Sequence, residues 1–109
     1  MNKYNAKVTE IDNIKFASRK EADYYVELCL RVKANDIKGF LRQPKFYLLD
    51  DFGHDGKKYK GITYTADFAI EHNDGTVEII ECKGYKTRDY ILRKKLLLSK
   101  FPELKFTEV

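Results

Sequence analysis

The feature that most constrains this chain is a pair of strand-like runs joined by a short polar turn. Residues 62–72 (ITYTADFAIEH) and 76–83 (TVEIIECK) are rich in β-branched and aromatic residues, and Asn73-Asp74-Gly75 lies between them. The pattern predicts a β-hairpin. A three-residue loop with Gly75 in the left-handed conformation pairs His72 with Thr76 and sets Asp67 opposite Glu81. Side chains alternate along a strand, so both carboxylates leave on one face, and Lys83, two residues past Glu81, shares it. A two-residue Asp74-Gly75 loop would oppose Asp67 to Cys82 and send the two acids to opposite faces. Bringing the acids together therefore needs the odd loop or a compensating bulge.

Asp67, Glu81 and Lys83 stand where a sheet interior should be apolar. Buried charge is costly unless paired or metal-bound, which makes the three candidates for function. Directly opposed carboxylates repel. A divalent cation between them removes that cost, and hard oxygen donors with room for water suit Mg²⁺, with Mn²⁺ as a substitute. An ion cluster that merely ties off the hairpin end would use the same residues, and the pattern leaves both readings open.

The rest of the chain supplies two helices and two further strands. Ser18-Arg19-Lys20-Glu21 is a capping box that starts a helix. Ala22, Tyr25, Cys29 and Val32 recur at helical spacing, Val26 and Leu28 widen the stripe, and Asn35 and Gly39 close it. Glu21 is accounted for by the capping box, yet it shares a face with Tyr25 and Leu28 that should look toward the sheet. Residues 40–49 (FLRQPKFYLL) read as a strand in which Pro44 marks an edge or a bulge. Asp50 to Gly61 reads as a polar loop, and residues 1–17 as irregular or weakly extended. Thr87 caps a second helix over residues 88–100 that packs through Ile91, Leu92, Leu96, Leu97 and Leu98. Pro102 ends it, and residues 104–109 form a last strand. The order helix, three strands, helix, strand predicts one domain over residues 1–109: an α/β sandwich whose mixed central sheet is flanked by helices, with a right-handed final crossover.

The formal charge of +4 is unevenly spread. Residues 83–100 carry seven basic side chains against Asp89 alone, a net of +6, whereas residues 1–82 sum to −1. A polyanion is the natural partner of such a segment. No run approaches the roughly 20 apolar residues that span a bilayer. The first twenty residues lack the apolar centre of a signal peptide, so a cytoplasmic protein without membrane contact is expected. Cys29 and Cys82 are far apart and in no CxxC pair, and with two histidines they do not make a finger-type zinc site. Both are expected as small buried hydrophobes.

At Asp67 and Glu81-Cys82-Lys83 the chain resembles the PD-(D/E)xK nuclease superfamily, whose motif is an acidic residue on one strand and (D/E)-x-K on the next. Ala66 stands in place of the motif's proline. Glu21 matches the helix-borne glutamate that often accompanies the motif. The resemblance implies a restriction-endonuclease-like αβββαβ core. More narrowly, the chain resembles a family of short phage and prophage proteins within that superfamily. This similarity runs from about Lys3 to Val109, on Lys3-Tyr4-Asn5-Ala6-Lys7, Phe16-Ala17-Ser18-Arg19-Lys20-Glu21-Ala22, Gln43-Pro44-Lys45-Phe46, Tyr64-Thr65-Ala66-Asp67-Phe68 and Lys83-Gly84.

What the resemblance implies is Mg²⁺-dependent hydrolysis of DNA, selective for branched or Holliday-junction-like structure. Asp67, Glu81, Glu21 and the backbone carbonyl of Cys82 would hold the metal, and Lys83 would position or activate the attacking water. Lys86, Arg88, Lys94 and Lys95 would track phosphates, with Lys45, Lys60 and the neighbouring Lys57 and Lys58 extending the surface. A homodimer is expected from the two-fold character of such substrates. The competing reading is a catalytically silent module that binds DNA or protein through the same fold. A restriction-like enzyme with sequence preference is a third, which the chain's length leaves little room for.

Overall fold

The computed structural model describes residues 9–82 and 85–109. Lys83 and the segment from Lys3 to Lys7 lie outside the described residues. Along the chain run β1 (Thr9–Ile11), β2 (Ile14–Phe16), α1 (Arg19–Lys33), β3 (Gly39–Arg42), β4 (Lys45–Leu49), β5 (Phe52–His54), β6 (Lys57–Tyr59), β7 (Ile62–Thr65), β8 (Phe68–Glu71), β9 (Val77–Glu81), α2 (Arg88–Lys100) and β10 (Lys105–Glu108). The chain is mixed α/β and strand-rich.

The central sheet has the order β10-β9-β8-β3, with β10 parallel to β9 and the other pairs antiparallel. Alternation along its strands separates two cores. Phe68, Ile70 and Ile80 point to one side and pack with Phe16, Ala22 and Leu28 beneath α1. Ile79 points to the other, where Tyr64, Ala66, Tyr90 and Leu97 gather under α2. The expected sandwich with a mixed sheet and two helices is therefore present.

The β8–β9 turn follows the three-residue loop. Paired residues are Phe68 with Ile80 through Glu71 with Val77, and the His72 N–H donates to the Thr76 carbonyl at 2.9 Å. Gly75 has φ +89°, the conformation the loop requires of it. α1 begins at Ser18, whose hydroxyl accepts from the Glu21 N–H at 3.1 Å. It ends in a Schellman motif: Asn35 takes φ +61°, its N–H meets the Val32 carbonyl, and the Asp36 N–H meets that of Arg31. α2 begins at Thr87, as expected, and donates the Tyr90 N–H to that cap.

Five expectations change. The strand expected over 62–72 is two strands, β7 and β8, and that over 40–49 is also two, β3 and β4. All four belong to one antiparallel ribbon, in which paired residue numbers add to 110 on both sides of the break until a bulge near Leu49. The ribbon bends where Gln43 takes φ +50° beside Pro44, opposite Ala66-Asp67. Two bonds carry the ladder through the bend, Gln43 N–H to the Asp67 carbonyl at 2.8 Å and Ala66 N–H to the Pro44 carbonyl at 3.1 Å. Beyond it β4 and β7 form a separate two-stranded layer against α2.

The polar loop 50–61 contains a second hairpin, β5–β6, turned by Asp55 and Gly56 at φ +53° and +75°. Both central residues at positive φ define the primed turn that matches strand twist. Gly61, where this hairpin rejoins β7, has no room for a side chain: a Cβ would lie 2.0 Å from the Leu49 carbonyl oxygen. Residues 9–16, expected to be irregular or weakly extended, form the β1–β2 hairpin on the same kind of turn, Asp12-Asn13, and Phe16 enters the core. Finally, Val26 on α1 and Ile91 and Leu92 on α2 are exposed. Each helix touches the sheet along a narrower stripe than its apolar pattern covers. No helix among the described residues is long and apolar enough to cross a membrane.

Candidate active site

The bend sets up the site. In the β8–β9 register the Cys82 N–H would point at the Ala66 backbone, but the ribbon has turned Ala66 toward Pro44. The Asp67 carboxylate takes the vacant place and accepts the Cys82 N–H at 2.6 Å through Oδ2. Asp67 thus ends the sheet with its side chain rather than its backbone, which satisfies a donor that would otherwise be stranded.

Glu21 reaches the same point from α1. It is 6% exposed, and its carboxyl lies close enough to that of Asp67 for the two to act on each other's proton. Burial, then the charge and the hydrogen bond of Asp67, raise its pKa above the ordinary carboxylate value; Arg42 and the Ala17 N–H oppose the rise. The capping box is therefore half-formed: Ser18 caps Glu21, while the Glu21 side chain is drawn toward Asp67.

Glu81 closes β9, and it is 4% exposed. The Tyr64 hydroxyl donates to its Oε1 from the α2 side of the sheet. Burial, and then this bond, push the Tyr64 phenol far up. The thiol of Cys82 registers all three acids: its pKa is pushed up to about 12, first by burial and then by the charges of Asp67, Glu21 and Glu81. Cys82 is half-buried, and so is Cys29.

Glu21 and Asp67 thus present paired hard oxygen donors, and a divalent cation between them would replace the proton their contact otherwise needs. Glu81, on the adjacent strand, is held at Oε1 by Tyr64. Among the described residues no three His, Cys, Asp or Glu side chains converge as a ready-made metal site.

Two residues here were not singled out from sequence. Tyr64 is an inward position of an alternating strand, and nothing in the pattern says that its hydroxyl meets Glu81. Arg42 had a signal, a charge at the end of the apolar run Gly39-Phe40-Leu41. Its guanidinium lies 4.8 Å over the Phe16 ring, and its Nε is buried with no hydrogen-bond partner among the described residues.

The basic residues divide. Lys86 and Lys94 both pair with Glu108, at 2.9 and 3.4 Å. The Tyr90 hydroxyl, then Lys86, then Lys94 draw the Glu108 carboxyl down to about 2 against a small opposing effect of burial. Arg93 is held by Asp89 and the Thr63 carbonyl, and Lys100 by the Tyr47 carbonyl at 2.8 Å. Arg88 and Lys95 remain exposed on α2, with no ion pair among the described residues. Lys45 and Lys60 stand on the β4–β7 ribbon and its extension. An open depression of about 240 Å³ lies between the two regions, lined by Glu81, Thr65, Thr87, Tyr90 and Arg93 among others.

Fold and site together define a two-helix α/β sandwich in which Glu21 and Asp67 meet where a β-ribbon bends, with Glu81 at the end of the adjacent strand. The chain belongs to a family described as a protein of unknown function, DUF1064, whose model matches residues 1–109. Neither the curated proteins nor the solved structures compared with it include a match.

Proposed function

We propose that this protein is a metal-dependent DNA endonuclease of the PD-(D/E)xK type, acting on branched DNA during phage replication or recombination. The observation that carries this reading is the Glu21–Asp67 carboxyl pair at the end of the sheet, with Glu81 on the adjacent strand. The order of elements building the central sheet, α1, β3, β8, β9, α2, β10, supports it, since it follows the αβββαβ order of that superfamily.

On this reading Asp67 and Glu21 hold a Mg²⁺ or Mn²⁺ ion, and Glu81 and the Cys82 carbonyl complete the donors. When bound, the ion supplies an activated water and stabilises charge on the phosphate. Lys83, two residues after Glu81 in sequence, positions that water. Arg88 and Lys95 contact neighbouring phosphates, while Lys86 and Lys94 contribute only as far as Glu108 releases them. Such contacts give affinity without base sequence information. The work would be done in the cytoplasm of the host cell, by two copies on a two-fold junction.

A second reading, a silent module that binds DNA or protein, draws on the engagement of Glu81 by Tyr64. One experiment separates the two: incubation with linear, flapped and four-way DNA, with and without Mg²⁺. The nuclease reading expects Mg²⁺-dependent products, most abundant from branched substrates. Retarded but uncut DNA under every condition would replace it with the second reading. Binding should weaken steeply with salt, and Lys95→Ala should lower the salt slope by about 1.

A further inference from the structure

The outer part of the ribbon has no role in the site. Among the described residues, four of the eleven exposed large hydrophobics fall within residues 47–59: Tyr47 at 60%, Leu49 at 44%, Phe52 at 47% and Tyr59 at 39%. Phe52 and Tyr59 oppose each other across β5–β6 with rings stacked at 5.1 Å and 11°. Every residue of β5 and β6 is exposed. A lone two-stranded hairpin is marginal in water, and large exposed aromatics gathered in one place mark an interaction surface. Two adjoining open depressions, of about 440 and 650 Å³, run along this face and share Asp51 and Lys60.

The charge of the surface identifies its occupant. Residues 50–61 hold Asp50, Asp51 and Asp55 against Lys57, Lys58 and Lys60, a net of zero. A surface built for a polyanion carries one sign. Charges on a surface that meets its own copy across a two-fold axis are paired when both signs lie in the same patch, because that patch faces its own equivalent. We infer that the β4–β7 face and the β5–β6 hairpin form a self-complementary interface through which two copies of this chain dimerise, with Phe52 and Tyr59 as central apolar contacts and the lysines and aspartates pairing around them. This assignment does not rest on the nuclease reading, and an inactive protein would dimerise in the same way.

The test is sedimentation velocity of the full chain over a range of concentrations, without DNA. Wild type should pass from monomer to dimer as concentration rises. Phe52→Glu combined with Tyr59→Glu should raise the dimer dissociation constant at least about tenfold while the thermal transition of the diluted monomer stays in place. A Lys60→Cys variant provides an independent readout: a short bis-maleimide should join two copies at that position, and the Phe52→Glu/Tyr59→Glu background should suppress the product. A wild type that stays monomeric up to its solubility limit overturns the proposal, as does a double variant that dimerises normally. Loss of DNA binding in the double variant, with wild type monomeric, would overturn it in favour of nucleic acid as the occupant.

Discussion

On the inner side of the bend, β3 and β8 join a four-stranded sheet, and Phe68 and Ile70 are fully buried beneath α1. On the outer side the same two segments continue as β4 and β7 in the same register, but only α2 covers them, and their extension β5–β6 is exposed at every residue. Backbone pairing is a local property and passes through the bend. Burial depends on which other elements arrive: α1 packs on the inner side, α2 covers one face of β4 and β7 and buries Tyr64, and β5 and β6 stay in water. The acids collect at the boundary for a related reason. There the ladder with β9 is interrupted, a polar side chain must replace a backbone acceptor, and Asp67 does so within reach of Glu21.

The sharpest way to break this comparison is to truncate one aromatic on each side. Phe68→Ala should cost about 3–5 kcal/mol in chemical denaturation. Tyr59→Ala, measured on protein dilute enough to be monomeric, should change stability by no more than about 0.5 kcal/mol. Similar costs would mean that the outer ribbon is part of the same cooperative core.

At the boundary, the nuclease reading expects Asp67→Ala to lower Mg²⁺-dependent cleavage by about 10²–10³-fold with DNA binding retained in EDTA. It should also cost about 1–3 kcal/mol, because the Cys82 N–H loses its acceptor. Asp67→Asn keeps an acceptor and lacks the charge, so it should lose cleavage with less loss of stability. A fully active Asp67→Asn would remove the carboxylate from the mechanism.

Glu21→Gln sharpens the same point in the opposite direction. The folded protein holds the Glu21 proton more tightly than the unfolded chain does, since burial and Asp67 raise its pKa above 4.5. Its contribution to stability therefore declines as pH rises from about 4.5 through the folded value. In metal-free buffer the variant should melt higher than wild type at neutral pH, and the gap should close in acid. Mg²⁺ should raise the melting temperature of wild type more than that of the variant.

The smallest effect belongs to Glu108. Its folded pKa, near 2, lies below the ordinary 4.5, so its stabilisation is complete above about 4.5 and disappears as pH falls toward 2. Glu108→Gln should flatten the acid side of the stability curve in that window and free Lys86 and Lys94, which a modest gain in DNA affinity at low salt would reveal.

What could be read in advance follows the range of the interactions involved. Ser18, Thr87, Asn73-Asp74-Gly75 and Asn35 act through the backbone within a few residues. They determined both helix starts, one helix end and the β8–β9 register, which runs from Glu71 opposite Val77 to Phe68 opposite Ile80 and stops short of Asp67. Asp12-Asn13 and Asp55-Gly56 are equally local signals, and the two hairpins missed there were legible in principle. The bend at Gln43-Pro44 was half-legible: Pro44 announced an irregularity, but only the opposing strand shows that Ala66-Asp67 turns with it.

The remainder required the folded chain. The Glu21–Asp67 contact joins residues 46 positions apart, and the Tyr64–Glu81 bond draws on a hydroxyl that no local pattern distinguishes from a core ring. Glu108 claims two lysines that composition alone assigned to a polyanion. By itself the sequence determined one hairpin and its register, where helices begin and which charges stand in apolar runs, because sterics and nearby hydrogen bonds decide those matters. Tertiary structure alone decided which charges meet and which apolar residues stay in water, because both depend on distances between segments that no spacing along the chain encodes.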